Sequence, residues 1–231
     1  RLTLEGEYTE RSIVSYQGLP AVGTVLPNPN GEIPRDRFTG EPDGTINNTI
    51  TRVGYRLEHQ FSDNWSLQNV FSARIQSNEP GNEFYILTED GLADDNRTLN
   101  RQAIDNTVDY EDYDLATYLT GKFSTGSINH ELLLGIDLSS SFLAFDRPSI
   151  IPTTLDIFDP VYGRATESSI DAFDGDQLTR TLGIYVQNLV TLTENLKLLL
   201  GGRFDLFEQD FRFQSDIDSA SRDAFSPRVG L

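Results

Sequence analysis

His59 and His130 are the only side chains in this 231-residue chain that could serve as an imidazole base. Acid–base or nucleophilic catalysis would need a hydroxyl and an orienting carboxylate within reach of one of them. No such spacing occurs. Glu131 follows His130 directly, so in an extended chain the two point to opposite faces. There is no Gly-Xaa-Ser-Xaa-Gly, no phosphate loop and no His-Glu-Xaa-Xaa-His. The chain has no cysteine, which removes thiolate metal sites and disulfides. Two acidic clusters, Asp90–Asn96 and Asp171–Asp176, invite a calcium reading. Asp94-Asp95-Asn96 and Asp174-Gly175-Asp176 lack ligands at alternate positions with a distal glutamate, so solvated acidic loops are the simpler account. The residues therefore argue against an enzyme, a resident metal and a cofactor.

The elements that carry these residues alternate with period two. Over 128–142 one parity reads Ile128, His130, Leu132, Leu134, Ile136, Leu138, and the other Asn129, Glu131, Leu133, Gly135, Asp137, Ser139. That is a strand with one apolar and one polar face. Residues 65–76 and 196–207 repeat the pattern, and weaker versions lie at 1–11, 47–61, 112–123, 177–192 and 223–231, which makes eight strands. The histidines fall on the apolar parity. No run approaches the roughly 18 apolar residues of a membrane helix.

Charge divides the chain the same way. The net charge is −18, which excludes nucleic acid as a partner. Residues 12–46 sum to −2, 77–114 to −9, 145–176 to −5 and 209–223 to −2, so the remainder is neutral. These four segments read as long acidic connections. Between them lie short turns at Ser62-Asp63-Asn64, Ser124-Thr125-Gly126-Ser127 and Thr193-Glu194-Asn195. Strict alternation of short and long connections points to an antiparallel up-and-down transmembrane β-barrel, with short periplasmic turns and long extracellular loops. Aromatic residues sit where interfacial girdles belong: Phe61, Trp65 and Phe123 beside the turns, and Tyr8, Tyr113 and Phe142 nearer the loops.

Several phrases carry a resemblance to a known family. "YRLEHQFSDNWSLQNVFSAR" (55–74), "LGIYVQNLVTLTENLKLLLGGRFD" (182–205), "HELLLGIDLSSS" (130–141) and "FSPRVGL" (225–231) resemble barrel segments of TonB-dependent siderophore receptors. "FDPVYG" (158–163) resembles the ferric-hydroxamate, ferrichrome-type branch. The resemblance implies a bacterial outer-membrane protein with a barrel of about 22 strands. It also implies an N-terminal plug domain that couples to the TonB complex. Residues 1–231 then form part of the barrel domain, and the plug is expected to lie outside this stretch. Outer-membrane lipid and lipopolysaccharide are the surroundings the resemblance implies.

In such a receptor the siderophore already coordinates the ferric ion, so iron enters only as cargo. The mouth must supply aromatic faces, hydrogen-bond donors and some positive charge. The candidate contacts are Tyr16, Arg35, Arg37, Phe38, Phe84, Tyr85, Phe145, Arg147, Phe158 and Tyr162. Arg35-Asp36-Arg37-Phe38 sets two guanidiniums beside a ring, a grip suited to an oxygen-rich ligand. Phe84 and Tyr85 could continue an outer strand above the membrane. Each of these residues could instead pin the long loops together. Two other functions compete: a receptor of the same family for cobalamin, haem or an oligosaccharide, and a secreted soluble β protein binding cations or glycans. The soluble protein would pack its apolar face against a second sheet.

Overall fold

The computed structural model describes residues 1–14, 18–42, 44–78, 83–163 and 173–231, without the side chains of 83–90, 105, 148 and 149. Its elements are strands: β1 (Leu2–Val14), β2 (Thr45–Ser62), β3 (Trp65–Asn78), β4 (Glu83–Leu92), β5 (Thr98–Thr125), β6 (Ile128–Asp156), β7 (Phe173–Thr193), β8 (Leu196–Phe213) and β9 (Asp216–Gly230). Among the described residues they form one antiparallel sheet. Its continuous path runs β1-β2-β3-β5-β6-β7-β8-β9, and β4 pairs with β5 off that path. The eight path strands are those expected from period two, joined in sequence order as an up-and-down meander.

Register explains why alternation was so clear. Leu2, Leu57, Asn69, Thr117, Ile136, Ile184, Phe204 and Phe225 pair across successive strands as one rung. The adjacent rung, on the other face, reads Thr3, Arg56, Val70, Ala116, Asp137, Gly183, Asp205 and Ala224. Apolar members of the first face stay uncovered: Leu4 is 75% exposed, Val53 52% and Ile184 51%. Among the described residues no second sheet covers them, which is the outcome the soluble reading did not expect. A continuous apolar face this wide is unstable in water, and lipid is the solvent that suits it.

The girdles bound that face. Phe123 stands at the lower edge of β5 and Tyr113 ten residues above it. Ten residues span about 34 Å of strand, which a tilt of about 40° reduces to about 26 Å, close to the height of an outer-membrane apolar band. At the lower edge, Trp65 and Phe123 lie parallel with centroids 6.5 Å apart, and Phe123 stacks on His130 at 4.7 Å. Trp65 lies over its cross-strand partner Gly121, where a Cβ would collide with the indole. At the upper edge, the Tyr8 hydroxyl donates to Glu10 at 2.7 Å and the Tyr113 hydroxyl to Glu111 at 3.1 Å. Both tyrosines thus keep the ring in the apolar band and the hydroxyl above it.

Three of the four expected long connections are shorter than expected. Segment 209–223 is no loop: β8 and β9 run through it, and only Gln214 and Ser215 turn. Much of 77–114 and 145–176 is likewise strand, namely β4 and the upper parts of β5 and β6. Above the membrane both faces of a strand meet water or protein, so the apolar–polar alternation that marks a wall strand fades. Pro148 and Pro152 stand within β6. They lie beyond Arg147–Phe173, the last pair between β6 and β7 among the described residues, where β6 has no described strand on that side and a missing N–H is tolerated.

Over the tops of β5 and β6, residues 18–42 and 157–163 fold into a cap with its own core. Leu99, Leu155, Ile157 and Ile33 are buried there, packed by Leu19, Leu92, Phe158 and Tyr162. Gly23 permits the fold of the first segment: its φ is +96°, and a Cβ would stand 2.6 Å from Ile33 Cδ1. The Ile33 N–H donates to the Gly23 carbonyl at 2.8 Å, which closes the loop.

Candidate functional site

The face opposite the lipid is polar and built from paired charges. Arg52 meets Glu7 at 2.9 Å and Arg74 meets Asp112 at 3.2 Å. Below them, Arg203 donates to Asp137 at 2.6 Å and to Asp205 at 2.7 Å, with its guanidinium 5.3 Å from the centre of the Tyr185 ring. Two glycines make this arrangement possible. Tyr185 occupies the space a Cβ on Gly135 would fill, and Arg203 occupies the space over Gly183. The wall is therefore smooth and largely charge-balanced on its inner side. That suits contact with protein or water in a lumen.

Higher on the same face the character changes to aromatic. Phe145, Phe173 and Phe213 come from β6, β7 and β8, with centroids 6.2, 6.4 and 5.6 Å apart. Arg147 lies 5.1 Å from the centre of the Phe173 ring and donates from Nε to Asn106 Oδ1 at 2.9 Å. Register places Val108, Phe145, Gly175 and Phe213 on one rung. Phe145 and Arg147, two of the candidates, are thus brought together on the inner face. Phe173, Phe213 and Asn106 join them and were not singled out in the sequence. Phe213 lay in a segment expected to be a loop, so its facing could not be read. Continuing the parity of Phe207 and Phe211 upward would have found it.

A second group of candidates gathers in the cap. Arg37 Nη2 donates to the Phe158 carbonyl at 3.0 Å, and the Tyr162 hydroxyl to the Phe38 carbonyl at 3.0 Å. Phe38 and Tyr162 are ring neighbours at 6.4 Å, and Phe158 carries the Arg97 guanidinium at 5.7 Å. These contacts hold 18–42 against 157–163. Arg35, by contrast, is exposed. The backbone of Phe84 and Tyr85 runs in β4 opposite Ile104 and Ala103, as an outer strand above the membrane. Their side chains, and Tyr16 altogether, lie outside the described residues.

The cap is locked by a pair that spacing did not suggest. Arg101 and Glu41 form an ion pair at 2.8 Å with side chains 0% and 3% exposed. Arg101 Nη1 also donates to the Thr39 and Gly40 carbonyls, each at 3.0 Å, and the Gly163 N–H donates to Glu41 Oε2 at 2.7 Å. Sixty residues separate the partners, so no local pattern connects them.

The acidic clusters have work within the chain. Asp95 accepts the Arg97 and Thr98 N–H groups and the Thr98 hydroxyl. Those hydrogen bonds, the Thr98 hydroxyl's above all, hold its carboxyl below the usual range. Asp174 and Asp176 flank Arg212 at 2.7 and 2.6 Å. Asp94 is exposed, and the Asn96 side-chain amide donates to its carbonyl at 3.2 Å; the Asp90 side chain and Asp171 lie outside the described residues. Both histidines sit on the lipid-facing parity: His130 Nδ1 is 3.1 Å from Asn188 Nδ2, and His59 is edge-on to Phe61 at 4.6 Å.

The barrel-wall geometry has a counterpart among known proteins. The family described as TonB dependent receptor-like, beta-barrel matches residues 1–231. The chain belongs to the TonB-dependent receptor family. It is similar to the metal-pseudopaline receptor CntO of Pseudomonas aeruginosa, 30% identical over 90% of this chain and 31% of that protein. It is also similar to the ferrioxamine B receptor of Salmonella typhimurium, 30% identical over 83% of this chain and 26% of that one. Against the ferrichrome outer membrane transporter/phage receptor of Escherichia coli identity is 26%, over 84% and 29%. The chain thus spans less than a third of the length of these curated relatives. Among solved structures, Pseudomonas aeruginosa FpvA superimposes with a TM-score of 0.73 at 22% identity, over 99% of this chain and 30% of that one. The fold is therefore shared. Family membership makes this an outer-membrane β-barrel chain, and the family consists of receptors and transporters, not enzymes. The secreted soluble reading falls with it.

Proposed function

We propose that this chain forms part of the wall and mouth of an outer-membrane receptor that captures a ferric siderophore for TonB-energised import. The observation that carries the reading is the sheet itself. One face is an uncovered apolar band, and the other rises from balanced ion pairs to a Phe145–Phe173–Phe213 patch at the mouth. Relatives named as receptors for metal-pseudopaline, ferrioxamine B and ferrichrome support a chelated metal as cargo. Iron enters in that form, coordinated by the siderophore, and leaves the chain no metal to hold. In the full-length receptor further strands close the sheet into a barrel of about 22, since edges facing lipid are not viable. An N-terminal plug rests against the paired charges of the inner wall. Lipid meets the band, and lipopolysaccharide meets the outer face above Tyr8 and Tyr113.

Cargo contacts come from Tyr16, Arg35, Arg37, Phe38, Phe84, Tyr85, Phe145, Arg147, Phe158 and Tyr162. Arg35 is more available than Arg37, which is already bound to the Phe158 carbonyl. The test is binding and uptake by the full-length protein with a panel of ferric siderophores. Quenching by at least one is expected; binding of cobalamin or haem alone would overturn the cargo. Arg35→Ala with Arg37→Ala should weaken uptake, and Arg35→Ala alone separates cargo contact from the loop contact Arg37 makes.

A further inference from the structure

Among the described residues, two hydrogen-bonded polar pairs interrupt the lipid face between the girdles, and they differ. Asn69 donates to Thr117 Oγ1 at 2.6 Å across β3 and β5, and that pair closes on itself. His130 Nδ1 lies 3.1 Å from Asn188 Nδ2 across β6 and β7, and this pair stays open. With the amide donating to Nδ1, the ring proton stands on Nε2, which makes no hydrogen bond among the described residues. Asn188 Oδ1 is buried without a partner among them as well. An unclosed polar pair on an apolar band costs stability relative to two leucines, so packing of the wall does not account for it.

Depth and shape say what could close it. His130 pairs with Phe123 and stacks on its ring at 4.7 Å, with Trp65 beyond, so it stands in the lower girdle. That girdle borders the short turns, on the periplasmic side of an outer-membrane barrel, where the inner leaflet carries its phosphates. Glu58 and Glu131, the strand acids at that depth, have the opposite parity. An anion beside His130 therefore meets an N–H donor and no strand carboxylate. Above the imidazole the lipid face opens into a groove of about 880 Å³ walled by Leu134, Val186, Leu200, Phe204 and Phe225. Asn188 joins the two, because it binds His130 and also lines the groove. The rung of Leu134, Val186 and Gly202 lies four residues above His130 on β6. That is about 14 Å along a strand, or about 10 Å of depth at a tilt of about 40°, close to the apolar depth of one leaflet, about 12 Å.

We propose that His130, Asn188 and the groove above them form a site for one glycerophospholipid of the periplasmic leaflet. Nε2–H donates to a phosphodiester oxygen, Asn188 holds the imidazole in that tautomer, and one acyl chain lies along the groove. The site rests on the barrel's place in the outer membrane and is independent of what the receptor imports.

Native mass spectrometry of the full-length receptor, released from detergent micelles, tests this. The probes are palmitoyl-oleoyl phosphatidylglycerol and palmitoyl-oleoyl glycerol, which has the same chains and no phosphate. A single phospholipid adduct is expected, at least about tenfold tighter than the diacylglycerol, as one hydrogen bond to a charged group supplies. His130→Leu should weaken phosphatidylglycerol about tenfold and leave the diacylglycerol unchanged. Asn188→Leu, which frees the ring to take the other tautomer, should weaken phosphatidylglycerol in the same sense. His59→Leu removes the other imidazole of the girdle, away from the groove, and should change neither probe. Heat-modifiable migration in detergent gels verifies that the variant barrels are folded. Absence of an adduct, or equal affinity for the two probes, overturns the site. So does phosphatidylglycerol binding that survives both His130→Leu and Asn188→Leu, or that falls equally in His59→Leu.

Discussion

Across the wall, apolar side chains such as Leu134 and Ile184 stay exposed on one face, whereas in the cap Leu99 and Ile157 are sealed by protein on every side. The two regions use the same strands, β5 and β6, a few rungs apart. The difference lies in the solvent. In the membrane, lipid supplies the apolar medium and the strand ladder satisfies the backbone. Above it, water surrounds the chain, and 18–42 must fold back to build a core. Ion pairs follow the same division. Wall pairs such as Arg203–Asp137 are more than a third exposed on each side, while Arg101–Glu41 is fully enclosed. A cap built this way can be disrupted without disturbing the wall.

That independence is the most direct thing to break. Glu41→Ala strands a buried guanidinium, a change that costs about 3–5 kcal/mol when a buried ion pair loses one partner. The expected outcome is loss of hydrogen-exchange protection in 18–42 and 157–163 of the full-length protein, with heat-modifiable barrel migration unchanged. Loss of the folded barrel in this variant would show that cap and wall are one cooperative unit. A smaller effect is expected in the other direction. Ile184→Arg places a charge on the lipid face near mid-band and should cost about 2–4 kcal/mol in reversible unfolding from lipid vesicles, with cap protection retained. Smaller again is the contrast between Ile157→Val and Ile184→Val. The first should cost about 0.5–1.5 kcal/mol in cap stability because protein cannot refill the space. The second should cost less, since fluid acyl chains can. Equal costs would erase the distinction between the two kinds of burial.

The same division decides what could be read from sequence. Wall strands were legible because lipid on one side and lumen on the other impose period two, so Leu132, Leu134, Ile136 and Leu138 announce themselves. The turns were legible through Asp63-Asn64, Gly126 and Glu194-Asn195. Above the band the constraint disappears. Segment 209–223 was expected to be a loop although its backbone continues the β8–β9 ladder from Phe213–Asp216 downward. Phe145 and Arg147 could be named as candidates by residue type, but their meeting with Phe173 and Phe213 depends on register across three strands. Glu41 and Arg101 were invisible for a different reason: an ion pair across sixty residues leaves no local trace.

The weakest of these contacts gives the finest test of how the cap is held. Asp156, at the top of β6, accepts Arg97 Nε at 2.6 Å and the N–H groups of Phe158 and Asp159 at 3.0 Å each. Partial burial pushes its carboxyl up, but the Arg97 hydrogen bond and the two N–H donors outweigh that and leave it below the usual carboxylate range. A depressed folded-state value means that the stabilisation is fully present above the unfolded value of about 4. It is lost as the pH falls through the folded value. The pair is about a third exposed, with side chains 42% and 35% accessible, so screening holds its contribution to under about 1 kcal/mol. Protection of 157–159, corrected for the intrinsic pH dependence of exchange, should therefore fall slightly between about pH 6 and about pH 3. Asp156→Asn should begin at the lower protection and show no such fall. The same pH response in both proteins would mean that another carboxylate, and not Asp156, fastens this edge of the cap.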